Sequence, residues 1–257
     1  MKITILTLFP EMFTSYLSSS IIKRAIAKGI VSFELINIRD FTLDKHHRVD
    51  NPPVGGGAGL IMMCQPIYDA LQSCKTESSK IYLTSPRGKT FNQQKALEMS
   101  KEEHLIFICG HYEGIDERIN KYVDENISLG DFILTGGEVA VMTMADSITR
   151  LIQGVISDES IVEESFSSDT LEYPQYTLPY EFDGETIPSI LFSGNHGAIS
   201  KWRRKQSLII TKNNRPDLFE KVKLSKQDLK LIKEIDENIT PKWEIDAIEK
   251  GKKFTKK

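Results

Sequence analysis

SLGDFILTGGEVAVMTMADSITRLI, residues 128–152, is the stretch on which the fold turns. Its first part is a glycine-bearing loop. From Glu138 onward apolar residues cover most of a helical circumference, which predicts a helix buried on nearly every side rather than an amphipathic surface helix. Such a helix needs a sheet or other helices to bury it, and the upstream sequence supplies both. Lys2–Leu8 reads as a buried strand of β-branched and apolar residues, and Ser18–Lys28 as a helix ended by Gly29. Val31–Ile38 reads as a second strand; Ile81–Thr84 and His104–Cys109 are short apolar runs followed by Gly- or Pro-bearing loops, with helical composition over Asn92–Lys101 between them. This alternation predicts a mostly parallel sheet covered by helices, an α/β domain.

Downstream the character changes. Ser157–Tyr180 carries Asp, Glu, Ser and Pro with little periodicity, as a linker or functional loop does. Ala198–Thr211, Pro216–Lys223 and Lys226–Ile235 read as helices separated by polar turns. The division expected is therefore an α/β domain over 1–156, a linker over 157–180 and a small helical domain over 181–257.

The formal net charge of −3 argues against a sequence-independent nucleic-acid coat, but phosphate binding depends on where cations cluster. One cluster is Lys201, Arg203, Arg204 and Lys205, near Lys212 and Arg215; the terminal KGKKFTKK reads as a solvated tail. Cys64, Cys74 and Cys109 follow no metal spacing and leave one thiol over in any pairing, which points to reduced cysteines. The apolar start MKITILTLFPEMF stops at Phe9-Pro10 with Glu11 next, unlike a signal peptide, and no apolar run reaches the roughly 20 residues of a bilayer span. A cytoplasmic protein with no membrane partner is expected.

Four loops concentrate the chemistry: PVGGGAG (53–59), SPRG (85–88), GHYEGIDER (110–118) and SLGDFILTGGE (128–138). In α/β sheets ligands bind beyond the carboxyl ends of strands, where glycines let a backbone come close. Each loop alone is weak evidence. The triple glycine at 55–57 suits a phosphate nest or a flexible turn; no GK[ST] follows, and no G-x-G-x-x-G opens a helix after the first strand. The ordinary dinucleotide and Rossmann-type methyltransferase fingerprints are both absent, leaving a nucleotide-like pocket made from backbone.

Together the runs KHHRVDNPPVGGGAG, CGHYEGIDER, SLGDFILTGGE, EYPQYT and SGNHGAISKWRRKQSL resemble, in order and spacing, the bacterial tRNA (guanine-N1)-methyltransferase family, over roughly residues 1–215. The resemblance implies the SPOUT class: a parallel-sheet α/β domain tied in a deep trefoil knot, a small helical C-terminal domain, and a homodimer. Knots are almost absent from proteins, so periodicity alone predicts an unknotted chain. The resemblance also implies S-adenosylmethionine bound through the knotted loops, with adenosine contacts on Pro86, Gly110, Leu129, Gly130, Asp131, Phe132, Ile133 and Leu134, Gly136 and Gly137 nearby, and Tyr112, Glu113 and Gly114 alongside. The implied substrate is the tRNA anticodon stem-loop, methylated at N1 of guanine 37.

That reaction removes the N1 proton while negative charge builds toward O6. A carboxylate in reach accepts the proton, and a cation at O6 stabilises the charge. The resemblance assigns the cation to Arg150, against a plain helix pair with Asp146. It aligns the base with Glu164, where the family has aspartate in Asp-Ser-Phe and this chain reads Glu163-Glu164-Ser165-Phe166; Asp169 is the rival. Glu113 is a candidate for Mg²⁺ or for the methionine moiety, against a pair with Arg118. Lys201, Arg203, Arg204 and Lys205 are the expected RNA contacts, with Trp202 read as core. His111, Leu178, Asn51 and Val54 depart from the family pattern. A non-catalytic RNA-binding relative, or an enzyme of the class acting on another RNA, are the alternatives.

Overall fold

The computed structural model describes residues 1–156, 165–166 and 170–255 of the chain. It divides into two compact units, residues 1–158 and 159–257.

The first unit is built on a five-stranded sheet of β1 (Lys2–Thr7), β2 (Ser32–Asn37), β5 (Ser79–Thr90), β6 (His104–Ile108) and β7 (Glu125–Ser128). The spatial order is β2-β1-β6-β5-β7 and every pairing is parallel. Two-residue β3 (Asp50–Asn51) and β4 (Ile61–Met62) form a separate antiparallel pair. Because side chains alternate along a strand, Ile3, Ile5, Leu105 and Phe107 enter one hydrophobic cluster, and Leu6, Ile106 and Ile108 enter the other.

Helices cover both faces. α2 (Ser20–Ala27), after the single turn α1 (Thr14–Leu17), joins α4 (Gln93–Met99) and α5 (Glu138–Thr149) in the first cluster. α3 (Cys64–Cys74) covers the other with Ile67, Ala70, Leu71 and Cys74. In α5 Val141, Met144 and Ile148 are fully buried, each worth about 1.5–3 kcal/mol. Val139, Thr143 and Asp146 stay exposed, so the helix keeps one open stripe where its composition predicts burial on nearly every side.

Two differences from the sequence reading matter. SPRG at 85–88 is not a loop between elements but an irregularity inside β5, where the register on β7 shifts between Thr84 and Lys89. Gly88 is pressed there against the 126–127 backbone: a Cβ on it would lie 2.4 Å from the Ile127 amide nitrogen. The strand β7 (ENIS) is too short and polar to stand out by alternation.

The second unit holds the hairpin β8 (Glu181–Phe182) and β9 (Glu185–Thr186), then α6 (His196–Asn214), α7 (Pro216–Phe219), α8 (Lys226–Asp236) and α9 (Lys242–Lys252). Asn195 caps α6 through the Ala198 amide, and Ser225 with Asp228 forms a capping box on α8. Its core joins Ile190, Ala198, Trp202 and Ala247, so Trp202 is packed inside. Most of the KGKKFTKK stretch is not a free tail: Lys250–Lys252 closes α9, and Gly251 sits so near the Ser189 carbonyl that a Cβ would fall 1.7 Å from it.

Candidate active site

The strand order reverses at β1 and β6: the chain leaves β1 toward β2 on one side and returns to β6 on the other. Beyond the carboxyl ends of those two strands a doubly covered sheet opens a crevice. The loops after β1 and β6 meet there, with the Phe9 and His111 rings 5.0 Å apart.

Hydrogen bonds knit the glycine loops to one another. Thr84 Oγ1 donates to the Ile108 carbonyl at 3.1 Å and accepts from the Gly110 amide at 3.2 Å. The Gly137 amide donates to the Gly110 carbonyl at 2.8 Å. On the other flank the Glu113 amide reaches the Leu60 carbonyl, and the Met62 amide the Gly114 carbonyl. SPRG, GHYEGIDER, the TGG turn and the chain after PVGGGAG are thus one assembly.

Close backbone approach explains two of the glycines. On Gly137 a Cβ would lie 2.2 Å from Thr84 Oγ1 and 2.9 Å from the Gly110 nitrogen. On Gly59 it would collide with Glu113 at 2.4 Å. Beneath them Glu138, in the first turn of α5, is 2% exposed and accepts from Thr7 Oγ1 at 2.8 Å. Cys109 is fully buried beside Glu138; desolvation first, then that carboxyl, push its thiol well above the ordinary range, so it stays protonated and unreactive.

The outer lip is apolar and open. Phe132 is 55% exposed, Ile133 80% and Leu134 39%, a run of apolar side chains that ordinary folding buries. The Ser128 hydroxyl holds the Gly130 amide at 3.1 Å, and Gly130 takes φ +153°. Among the described residues, none accepts a hydrogen bond from the backbone amides of residues 133–136. Tyr112, at φ +58°, lies with its hydroxyl 3.4 Å from Arg39 Nη2. Arg39 is a polar neighbour that motif reading does not single out. The only sequence signal for it is its place in the turn after β2.

The sequence candidates separate as follows. Gly110, Glu113, Gly114, Gly136 and Gly137 belong to the knitted loops, and Leu129 to Leu134 to the lip. Pro86 is exposed at the β5 irregularity. Arg150 sits half-buried at the C-terminal end of α5, where a cation suits the helix dipole, and its amide donates to the Asp146 carbonyl at 3.1 Å. Glu164 and Asp169 lie outside the described residues.

Glu113 does not pair with Arg118. That guanidinium grips Asp116 at 2.7 Å and holds its carboxyl well below the usual range, while Glu113 rests over Gly59. Among the described residues no group of three His, Cys, Asp or Glu side chains is placed to hold a metal. His111, in the place of the expected arginine, has a buried Nδ1 with no hydrogen-bond partner.

The four basic candidates of α6 fare differently from one another. Lys201 is exposed, its Nζ 5.6 Å over the Trp243 ring. Arg203 stacks 4.8 Å over Tyr173 of the EYPQYT run. Arg204 is drawn into a fork on Asp228, at 2.8 and 3.2 Å. Lys205 is buried, with Nζ 2.7 Å from Glu244 Oε2. These last two cations are engaged within their own unit.

Sheet, reversal point and bonded loops define an α/β protein whose glycine loops gather at the switch point, without a dinucleotide fingerprint. The family model described as tRNA (Guanine-1)-methyltransferase TrmD matches residues 1–221, and the chain belongs to that family. A tRNA (guanine-N(1)-)-methyltransferase of Clostridium perfringens (strain ATCC 13124) is 59% identical over 235 residues, 91% of this chain and 99% of that one. Those of Clostridium botulinum strains Eklund 17B and Langeland are 60% and 54% identical, covering 90% and 93% of this chain and 98% and 100% of theirs.

Proposed function

We propose that this chain transfers a methyl group from S-adenosylmethionine to N1 of guanine 37 in tRNA. The observation that carries the reading is the family membership, joined to glycine loops bonded to one another beyond the sheet's switch point. The crevice fits the cofactor's chemistry. Phe132, Ile133 and Leu134 offer an apolar wall for adenine, and the amides of 133–136 offer donors beside it. Pro86, Gly110, Tyr112, Gly114, Leu129, Gly130, Asp131, Gly136 and Gly137 complete the binding set in this reading. When bound, the cofactor supplies an electrophilic methyl on a sulfonium, so the leaving group needs little help.

The chain's own work is then at guanine. Arg150 stabilises charge building on O6, and Glu164, with Asp169 as rival, takes the N1 proton. Holding the base in line does the rest. The pressed contacts of Gly88 and Gly137 suit a chain threaded through its own loops, and we propose the deep trefoil knot of the SPOUT class on that support.

The 157–180 linker and the 181–257 helical domain form the tRNA-binding part in this reading, Lys201 and Arg203 reaching the anticodon stem-loop phosphates. A homodimer accords with Val139, an apolar side chain 46% exposed on the face of α5 that also shows Thr143 and Asp146; a monomer in analytical ultracentrifugation overturns it. A cytoplasmic location accords with three free cysteines, and no helix among the described residues is long and apolar enough to cross a membrane.

The test is transfer of labelled methyl to unmodified tRNA carrying guanine at position 37, beside tRNA with another base there. The expected result is incorporation into the first alone, lost in Glu164→Gln with cofactor affinity intact. Cofactor binding without transfer to either tRNA refutes the enzymatic reading, and equal labelling of both refutes the assigned target.

A further inference from the structure

Residues 170–172 are held on α6 by side chains rather than by regular secondary structure. Thr211 Oγ1 accepts from the Leu171 amide at 2.8 Å and donates to the Ser207 carbonyl at 2.7 Å. The Ser207 hydroxyl donates to the Leu171 carbonyl at 2.5 Å and lies 3.0 Å from Thr170 Oγ1. Arg204 Nη1 adds a donor to that threonine oxygen at 3.3 Å. Thr170 and Thr211 are 2% and 0% exposed. Both backbone polar groups of Leu171 are therefore satisfied by two hydroxyls one helical turn apart. A solvated connector has water for its backbone and no need of such partners.

From this anchor the bonding continues backward along the chain. The Glu172 amide donates to Ser165 Oγ at 3.0 Å, and the Phe166 amide to the Thr170 carbonyl at 3.0 Å. The second bond ties Phe166 to Thr170. Ser165 is the covalent neighbour of Glu164. Phe166 takes φ +70°, a left-handed backbone that a phenylalanine keeps only where its surroundings impose it.

We infer that Thr211 and Ser207 are positioning residues for methyl transfer: through Leu171 and Thr170 they fix the backbone that flanks the base carboxylate. The inference rests on the reading that Glu164 or Asp169 takes the N1 proton. Neither hydroxyl touches substrate or cofactor in this role. Their effect falls on the rate, because a base displaced by about 1 Å can lose up to about a hundredfold in rate without any loss of binding.

The experiment compares Thr211→Val, which keeps the side-chain shape and leaves the Leu171 amide without its acceptor, with Thr211→Ser, which restores the hydroxyl. Ser207→Ala is the second variant, since it leaves the Leu171 amide bond intact should Thr211→Val fold poorly. Single-turnover methyl transfer to tRNA is read beside dissociation constants for S-adenosylmethionine and tRNA on the same preparations. The expected result is a rate about tenfold lower in Thr211→Val, a smaller fall in Ser207→Ala, both dissociation constants unchanged, and the rate recovered in Thr211→Ser. Wild-type rates in Thr211→Val and Ser207→Ala, beside an inactive Glu164→Gln or Asp169→Asn, overturn the inference alone. Lower rates that track lost tRNA affinity and are not recovered by serine also overturn it, in favour of a structural role. Wild-type rates in both Glu164→Gln and Asp169→Asn overturn the base reading, and the inference with it.

Discussion

The glycine loops of the first unit and the basic helix of the second are the two most conspicuous stretches of this sequence, and the structure uses them in opposite ways. The loops leave their chemistry open: apolar side chains at 132–134 face outward and the amides of 133–136 have no acceptor among the described residues. In α6 much of the charge is consumed. Lys205 is buried against Glu244, and Arg204 is forked onto Asp228. A run of cations in a sequence reports charge, not its availability. Exposed charges remain in water at little cost, whereas a buried one must find a partner or shift its ionisation. Glycines report no side-chain chemistry at all, yet here they mark where the backbone itself is offered.

The largest effect expected of a test of this contrast is on Lys205. If its cation is structural, Glu244→Ala leaves the buried charge only its longer contact with Glu234 at 3.6 Å and lowers stability by up to about 3–5 kcal/mol, read by urea unfolding. The pair Lys205→Met with Glu244→Leu should recover most of that. A Glu244→Ala protein as stable as wild type breaks the contrast, because Lys205 is then free to serve elsewhere.

Next is Gly137→Ala, whose new Cβ must displace Thr84 Oγ1 or the Gly110 backbone. Overpacking of this kind costs about 1–3 kcal/mol. It also separates the loops that line the crevice, so calorimetry should find S-adenosylmethionine binding lost. Unchanged binding would place the cofactor away from the Gly110–Gly137 contact.

The smallest expected effect sharpens the comparison within the first unit itself. At the amino end of the same strands, polar groups are closed in as they are in α6. His104, 4% exposed, has Nε2 2.9 Å from Thr4 Oγ1 and Nδ1 2.8 Å from Ser79 Oγ. Burial first, and Lys2 second, lower its pKa below the ordinary imidazole value, with Glu34 opposing. The unfolded chain therefore binds the proton more readily than the folded one. Stability is complete above the ordinary imidazole range of about 6.5 and declines as pH falls through that range toward the folded value. Thermal unfolding should show that decline, and His104→Gln should flatten it. A slope unaltered in the variant would assign the titration to another group.

Legibility in the sequence followed burial and regularity. The helix at 138–149, β1, β2 and β6 were readable because apolar residues repeat with the period of their element. β7 was not, since its packing and pairing, not its composition, make ENIS a strand. For α3 a signal was present: buried Ile67, Ala70, Leu71 and Cys74 are at helical spacing, interrupted at the start by Pro66. The pressed glycines 59, 88 and 137 look like any others in the chain until their neighbours arrive from remote segments.

The sequence by itself determined the class of fold and, through motifs whose order and spacing are hard to meet by chance, the family and its chemistry. Periodicity and motif are local properties, written in residues close to one another along the chain. The tertiary structure alone decided which cations are spent, that Arg118 takes Asp116 and leaves Glu113 over Gly59, and that Thr211 holds Leu171 from 40 residues away. Each of these is a contest between partners brought together from distant segments. Its outcome depends on distance and desolvation, which exist only once the chain has folded.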